Sequence, residues 1–388
     1  MFVRQPMRVT FKQPAPVTPP DPAEWVAPPI SGAWSASACA SRAPCRVDLA
    51  GATLDIWPLY LFHEKPVTVN FAVDRYTYCD IAANGGKRIV LRSRDLAIEE
   101  TFESLSRLKA ATRYRLPVLA LLTRFFAPAL AKMNAGLTIE SHSEAPAGAG
   151  ISGSSALMIA TATALNELTG SGHSLEKIRE IAQNVEAQVI RVPTGAQDYY
   201  PAMYGGVSAV ELTPSGIVRK ALPVDANELN RRFVLVYTGA PRNSGINNWE
   251  VMKAHIDGDR AIHRNFDRIA AIANSMRDAL ESRDWDSAGR LMREDWSYRR
   301  KNIPSITTDE IDRLVTVARR AGSKGAKVCG AGGGGCVVFL VEPETQERVA
   351  RALEAAGTKV LNARVAPRGV EVVKRAANAP RKPRKGAS

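Results

Sequence analysis

Residues 144–166, EAPAGAGISGSSALMIATATALN, join a loop with almost no side-chain bulk to a run of good helix formers. The loop holds Pro146, Gly148, Gly150, Ile151, Ser152, Gly153, Ser154 and Ser155; the run from Ala156 to Leu168 stops at Gly170. Serine is a preferred helix N-cap, so the pattern delivers the chain into a helix N-terminus. Free N–H groups and about half a positive charge gather at such an end, which suits a phosphate. Glycines on the approach let phosphate oxygens near the backbone. Gly-Lys-Ser/Thr is absent, so this is not a Walker A loop. A second glycine turn, GAGGGGC from Gly330 to Cys336, is too dense for an ordinary hairpin and is expected where backbone closely approaches a ligand. Upstream, RVDLAGATLDIWPLY (Arg46–Tyr60) puts a cation, Arg46, and a carboxylate, Asp55, around the end of a strand. Glu186 and Asp198, twelve residues apart, offer two more carboxylates.

The elements that position these groups read as a mixture of strands and helices without strict βαβ alternation, which predicts an α+β class. CRVDLAG is a strand ending at Gly51, and PVTVNFAVDRYTYCDIAA alternates well enough for one long strand or two short ones. Asn84-Gly85-Gly86 followed by KRIVLRSRDL is a hairpin signal. An apolar helix covers roughly 116–132, and LTIESHS is a strand feeding the glycine-serine loop. A helix from Ser174 to about Ile190 buries Ile178, Ile181, Val185 and Val189 on one face. YGGVSAVEL is a strand, and near Pro214 the pattern resets. Beyond it come a strand, FVLVYTG, and helices over about 259–282, 284–301 and 308–321. KVCGAGGGGCVVFLVE is strand, turn and strand; TQERVARALEAAG is a helix; KVLNARVAP and GVEVVKR close the chain as strands. The predicted organisation is a Pro-rich extended arm (1–40), an N-terminal domain (41–213), a C-terminal domain (214–375) and a basic tail (376–388). Trp25 and Trp34 suggest that part of the arm packs on the body.

The net charge of +13 does not point to nucleic acid. Four positives fall in the last eight residues, and most others are scattered among acids, as in MREDWSYRRKN and ARRAGSKGAK. These runs read as solvated surface with an affinity for anionic substrates. Five cysteines, an odd count without metal-pair spacing, suit reduced thiols in a cytoplasm. The N-terminus shows no apolar h-region, and the longest apolar stretch, Val118 to Ala131, is interrupted by Thr123, Arg124 and Pro128, so neither a signal peptide nor a membrane span is predicted.

The three chemical segments, in this order, resemble the GHMP kinases, small-molecule kinases that include galactokinase, homoserine kinase and mevalonate kinase. The resemblance covers about residues 41–375. It is nearest to the D-glycero-D-manno-heptose 7-phosphate kinases and fucokinase domains, in RAPCRVDLAG, AVDRYTY, TGAQDYYPAMYGG, LVYTG and KVCGAGGGGCVVF. It implies a two-domain GHMP kinase fold: a ribosomal-protein-S5-like N-terminal domain and a ferredoxin-like C-terminal α+β domain. The implied reaction is ATP-dependent phosphorylation of a hydroxyl of a sugar or sugar phosphate. By resemblance the glycine-serine loop holds ATP, and Ser154, Ser155 and Glu186 hold Mg2+. Asp198 acts as base beside Arg46, and Asp55, Gln197, Gly332, Gly333 and Gly334 meet the substrate. Of the galactokinase substrate motif only Asp55 carries over, and Leu54 replaces the Thr usual in the heptose and fucose groups. Two alternatives are a non-catalytic sugar and ATP sensor and a kinase of a non-sugar alcohol such as mevalonate. The sensor reading would be favoured by loss of Asp198, Glu186 or the loop serines, all of which are present. The partners implied are small molecules, with neither nucleic acid nor membrane, in a cytoplasmic setting; the oligomeric state is left open.

Overall fold

A computed structural model describes residues 39–240 and 246–374. Two adjoining antiparallel strands, β1 (Cys39–Ala50) and the long β2 (Val67–Ala83), form the spine of the larger sheet. To these are added β3 (Ile89–Ser93), β4 (Ile98–Phe102), β5 (Leu137–Ser143), β6 (Val207–Thr213) and β7 (Gly216–Ala221). The smaller sheet holds β8 (Phe233–Tyr237), β9 (Ser323–Val328), β10 (Cys336–Val341) and β11 (Lys359–Leu361). Its order, β11-β8-β10-β9, with every neighbouring pair antiparallel, is that of a ferredoxin-like domain. A last strand, β12 (Glu371–Lys374), pairs with β1 in the larger sheet, whose order is β12-β1-β2-β5-β3-β4 with β6 on β2 and β7 on β6.

Three expectations are corrected here. The Asn84-Gly85-Gly86 turn does not close a hairpin, because β5 lies between β2 and β3 and runs parallel to β3. The reset near Pro214 is a tight β6–β7 turn, with Thr213 opposite Gly216, so the larger sheet continues past 213 and later takes back residues 371–374. The helix expected over 116–132 is two, interrupted at Phe126 and followed by Pro128, which lacks a backbone donor. The arm, including Trp25 and Trp34, and the tail lie outside the described residues, except that Cys39 and Ala40 open β1.

The helices are α1 (Leu105–Ala110), α2 (Pro117–Phe125), α3 (Ala127–Met133), α4 (Gly153–Thr169), α5 (Leu175–Ile190), α6 (Tyr199–Tyr204) and α7 (Ala226–Asn230). They continue with α8 (Ile246–Ile256), α9 (Arg260–Glu281), α10 (Trp285–Asn302), α11 (Asp309–Ala321) and α12 (Gln346–Ala355). Caps explain where several of them start: Ser174, Asp259 and Thr308 each accept a backbone N–H of the first turn. The middle of α4, from Ser155 to Leu165, is almost wholly buried, packed against β1 and β2 and flanked by α2 and α5. Its small residues and lack of a polar face follow from that position. No helix among the described residues is long and apolar enough to cross a membrane.

Candidate active site

The helix after the glycine-serine loop, α4, begins at Gly153, three residues before Ala156, so Ser154 and Ser155 lie inside its first turn. Ser152 takes the N-cap position but has left-handed backbone (φ 61°) and makes no side-chain cap. Its hydroxyl is buried without a hydrogen-bond partner among the described residues. The first N–H groups of α4 therefore keep the orphan donors that an anion takes up. Gly148 and Gly150 are left-handed (φ 71° and 79°), whereas Gly153 is not. Pro146, Gly148, Gly150, Ser152, Gly153, Ser154 and Ser155 line a cleft of about 350 Å³. Ile151 does not: its side chain is fully buried in the core, and its carbonyl accepts the Arg46 N–H.

The facing wall comes from β1. Two-residue periodicity turns Arg46 and Asp48 to the same face of the strand. Arg46 is 2% exposed; its Nε donates to Asp198 Oδ1 at 2.8 Å and its Nη1 to the Gly150 carbonyl at 2.8 Å. Burial opposes its charge, but Asp198 and Asp48 outweigh that and raise its pKa. Asp198 sits at the start of α6 with its side chain 27% exposed. Asp55 is buried and accepts the Gln197 backbone N–H at 2.9 Å. Burial, reinforced by Asp198, pushes Asp55 up to about 6. Gly195 is required by this approach, since a Cβ there would stand 2.0 Å from Asp55 Oδ2.

Two further carboxylates line the cleft, Asp95 and, on α5, Glu186. Glu186 accepts from Thr194 Oγ1 at 3.1 Å and from the Tyr199 hydroxyl, and Ser154 stands beside it. Burial raises its pKa, which these donors counter. Ser155 in turn stands beside the Tyr199 hydroxyl. Glu186 and the two serines thus converge as oxygen donors at the start of α4.

The second glycine turn reaches the cleft through Gly330 and Ala331. Gly332, Gly333 and Gly334, expected at the substrate, are not on its lining. Gly332 packs on Ile306, where a Cβ would fall 2.1 Å from Cγ1, and the Gly333 N–H donates to the Ile306 carbonyl. The turn instead braces the glycine-serine loop, with the Cys336 N–H donating to the Ala149 carbonyl at 2.6 Å.

With this geometry in hand, the chain can be set beside known proteins. Residues 118–206 match the family described as GHMP kinases N terminal domain, and residues 276–359 match GHMP kinases C terminal. The chain belongs to the GHMP kinase family. It is 24% identical over 320 residues to a D-glycero-alpha-D-manno-heptose 7-phosphate kinase of Campylobacter jejuni, covering 81% of this chain and 92% of that protein. It is 27% identical over 242 residues to a mevalonate kinase of Thermococcus onnurineus, covering 61% and 69% of the two. The solved structure of a D-glycero-D-manno-heptose 1-phosphate kinase from Bacteriodes thetaiotaomicron superposes with a TM-score of 0.70 at 22% identity, over 87% of this chain and 100% of that one.

This GHMP kinase carries a charge cluster under the cleft that sequence reasoning missed. Asp295, Arg299 and Lys327 come from the runs read as solvated surface, yet they are 0%, 3% and 0% exposed. The reason is register: Asp295 and Arg299, four apart on α10, share the face that packs on β9, which carries Lys327. Lys327 bridges Asp48 Oδ2 (2.8 Å) and Asp295 Oδ2 (2.7 Å). Arg299 donates to the Gly330 carbonyl at 2.7 Å and adds a cation to the cleft wall. Arg-Val-Asp within one strand was the available signal, because a buried charge on each side of a valine needs partners.

Proposed function

We propose that this kinase transfers the γ-phosphoryl group of ATP to a hydroxyl of a sugar or sugar phosphate. The observation that carries this reading is the Arg46–Asp198 pair facing the phosphate loop, with Asp55 beside it. The likeness to heptose phosphate kinases supports a polyhydroxylated substrate. A buried carboxylate such as Asp55 also suits hydroxyl donors better than an apolar chain.

Phosphoryl transfer passes through a loose transition state, so positioning and charge neutralisation dominate. The N-terminal amides of α4 cradle the phosphates. Asp198 accepts the hydroxyl proton as the new oxygen–phosphorus bond forms and the bond to the ADP oxygen breaks. Arg46 fixes the orientation of Asp198 and neutralises charge on the phosphoryl oxygens. Asp55 and Gln197 orient the substrate. Glu186, Ser154 and Ser155 are the hard oxygen donors that Mg2+ prefers. When bound there, the ion neutralises phosphate charge. The setting proposed is cytoplasmic, in keeping with five buried cysteines that form no disulfide.

ADP release across heptose 7-phosphates, fucose, galactose, glucuronate and mevalonate tests this reading. A sugar or sugar phosphate should give the highest kcat/KM. Preference for mevalonate would move the substrate to the non-sugar alcohols, and absence of turnover with every acceptor would favour a sensor.

A further inference from the structure

Away from the cleft, three of the five histidines of the chain meet. His63 follows the 3-10 turn Leu59–Phe62, His255 lies in the last turn of α8, and His263 lies in the first turn of α9. One ring nitrogen of each lies within 4.8 Å of the other two. His63 and His255 are buried, and His263 is half-buried. The His63 Nε2 and His255 Nε2 atoms face one another at 3.0 Å. The rings of His255 and His263 stack with centroids 4.0 Å apart, and Phe62 packs against both.

Tautomers follow from the partners. Asp267, one turn beyond His63's neighbour His263 on α9, accepts from His63 Nδ1 at 2.7 Å. That fixes the proton on Nδ1 and leaves a lone pair on His63 Nε2. The facing His255 Nε2 must then either donate a proton into that lone pair or share a cation with it. In the first case His255 Nδ1 is bare, and it is buried with no hydrogen-bond partner among the described residues. We propose that His63, His255 and His263 form a three-histidine site for a divalent transition-metal ion of the zinc class, with Asp267 orienting His63.

The arrangement matches what such an ion requires. Imidazole nitrogens suit zinc and its neighbours. Tetrahedral ligands at about 2.0–2.1 Å stand about 3.3 Å from one another, so closing the site takes shifts of an ångström or so and rotation of the His263 ring out of its stack on His255. A carboxylate behind a ligating histidine is the usual orienting partner. Half-exposed His263 gives a path of entry, and a water completes the fourth position. Binding displaces the proton held between His63 and His255. The site would clasp the segment following Asp55 to α8, whose Asn248 lines the catalytic cleft.

The test uses untagged, full-length protein freed of metal by a chelator, titrated with Co2+ and then Zn2+. One equivalent of Co2+ should bind with tetrahedral d–d absorption and be displaced by one equivalent of Zn2+, which should also raise Tm. Asp267→Asn should weaken Zn2+ binding about 10–100-fold. His263→Gln should weaken it further, while His173→Gln, at a half-buried histidine outside the cluster, leaves it unchanged. Failure of the wild-type protein to take up one equivalent at micromolar Co2+ overturns the proposal whatever the variants do. So does unaltered binding in a folded His263→Gln protein.

Discussion

Arg46 meets a single oxygen of Asp198 twice: Nε and Nη2 lie 2.8 and 2.6 Å from Oδ1. Among the described residues no hydrogen bond falls on Oδ2, which leaves that oxygen to take a hydroxyl proton. A positioned base contributes roughly a hundred- to ten-thousand-fold in rate, or about 3–5 kcal/mol of barrier. Asp198→Asn should therefore lower kcat by that factor with ATP affinity near normal, as read by steady-state kinetics and nucleotide titration. An asparagine protein retaining most of its turnover with the preferred sugar would remove Asp198 from the role of base.

Asp55 should set the acid limb of substrate recognition. Burial first, then Asp198, raises it to about 6, so below that pH it is protonated and a poorer acceptor for sugar hydroxyls. The value of kcat/KM should rise through about pH 6, and the rise should be absent in Asp55→Asn. Stability runs the other way. An acid whose folded pKa is raised favours the fold fully below its unfolded value near 4, and that contribution is lost as pH rises through about 6. At pH 8 the Asp55→Asn protein should be more stable than wild type by up to about 3 kcal/mol. Denaturant titration at pH 4 and pH 8 separates the two, since the gain should vanish at the lower pH.

Local signals were legible in the sequence, and long-range pairings were not. Ser174, Asp259 and Thr308 mark helix starts because a cap acts within one turn. The glycine-serine loop leading into α4 was readable for the same reason. Insertion of β5 between β2 and β3 was hidden, because an Asn-Gly-Gly turn looks alike whether or not its flanking strands pair. Lys327 and Arg299 looked like surface charges because their partner Asp48 lies 279 and 251 residues upstream of them, outside any local pattern. The three histidines share no motif, since His63 meets His255 only through folding.

Gly335 ties the two glycine loops together, and that contact should tune ATP binding. It is left-handed (φ 81°), and a Cβ there would stand 2.7 Å from the Ala149 carbonyl. Gly335→Ala would store about 1–3 kcal/mol of strain. If the phosphate loop yields to it, affinity for a non-hydrolysable ATP analogue should fall about 5- to 100-fold. Unaltered affinity in a folded variant would mean that the C-terminal turn does not brace the loop.

Lys327 should matter more to stability than to chemistry. It sits fully buried between Asp48 and Asp295, and Asp295 Oδ1 also accepts the Gly51 N–H at 3.0 Å. Burial alone would raise Asp48, but Lys327, Arg46 and Arg299 hold its carboxyl well below the usual range. Lys327→Met removes the shared cation and leaves two carboxylates in a dry interface, a loss of about 3–5 kcal/mol for a broken buried pair. A carboxyl with a depressed pKa stabilises the fold above its unfolded value near 4 and loses that contribution as pH falls towards its folded value. The deficit of Lys327→Met should therefore be largest at neutral pH and shrink below about pH 4. Adding Asp295→Asn should recover part of it, because the second unpaired charge is gone. Urea unfolding of the single and double variants at pH 7 measures both effects. A loss under about 1 kcal/mol would put the cluster in the range of solvated surface pairs.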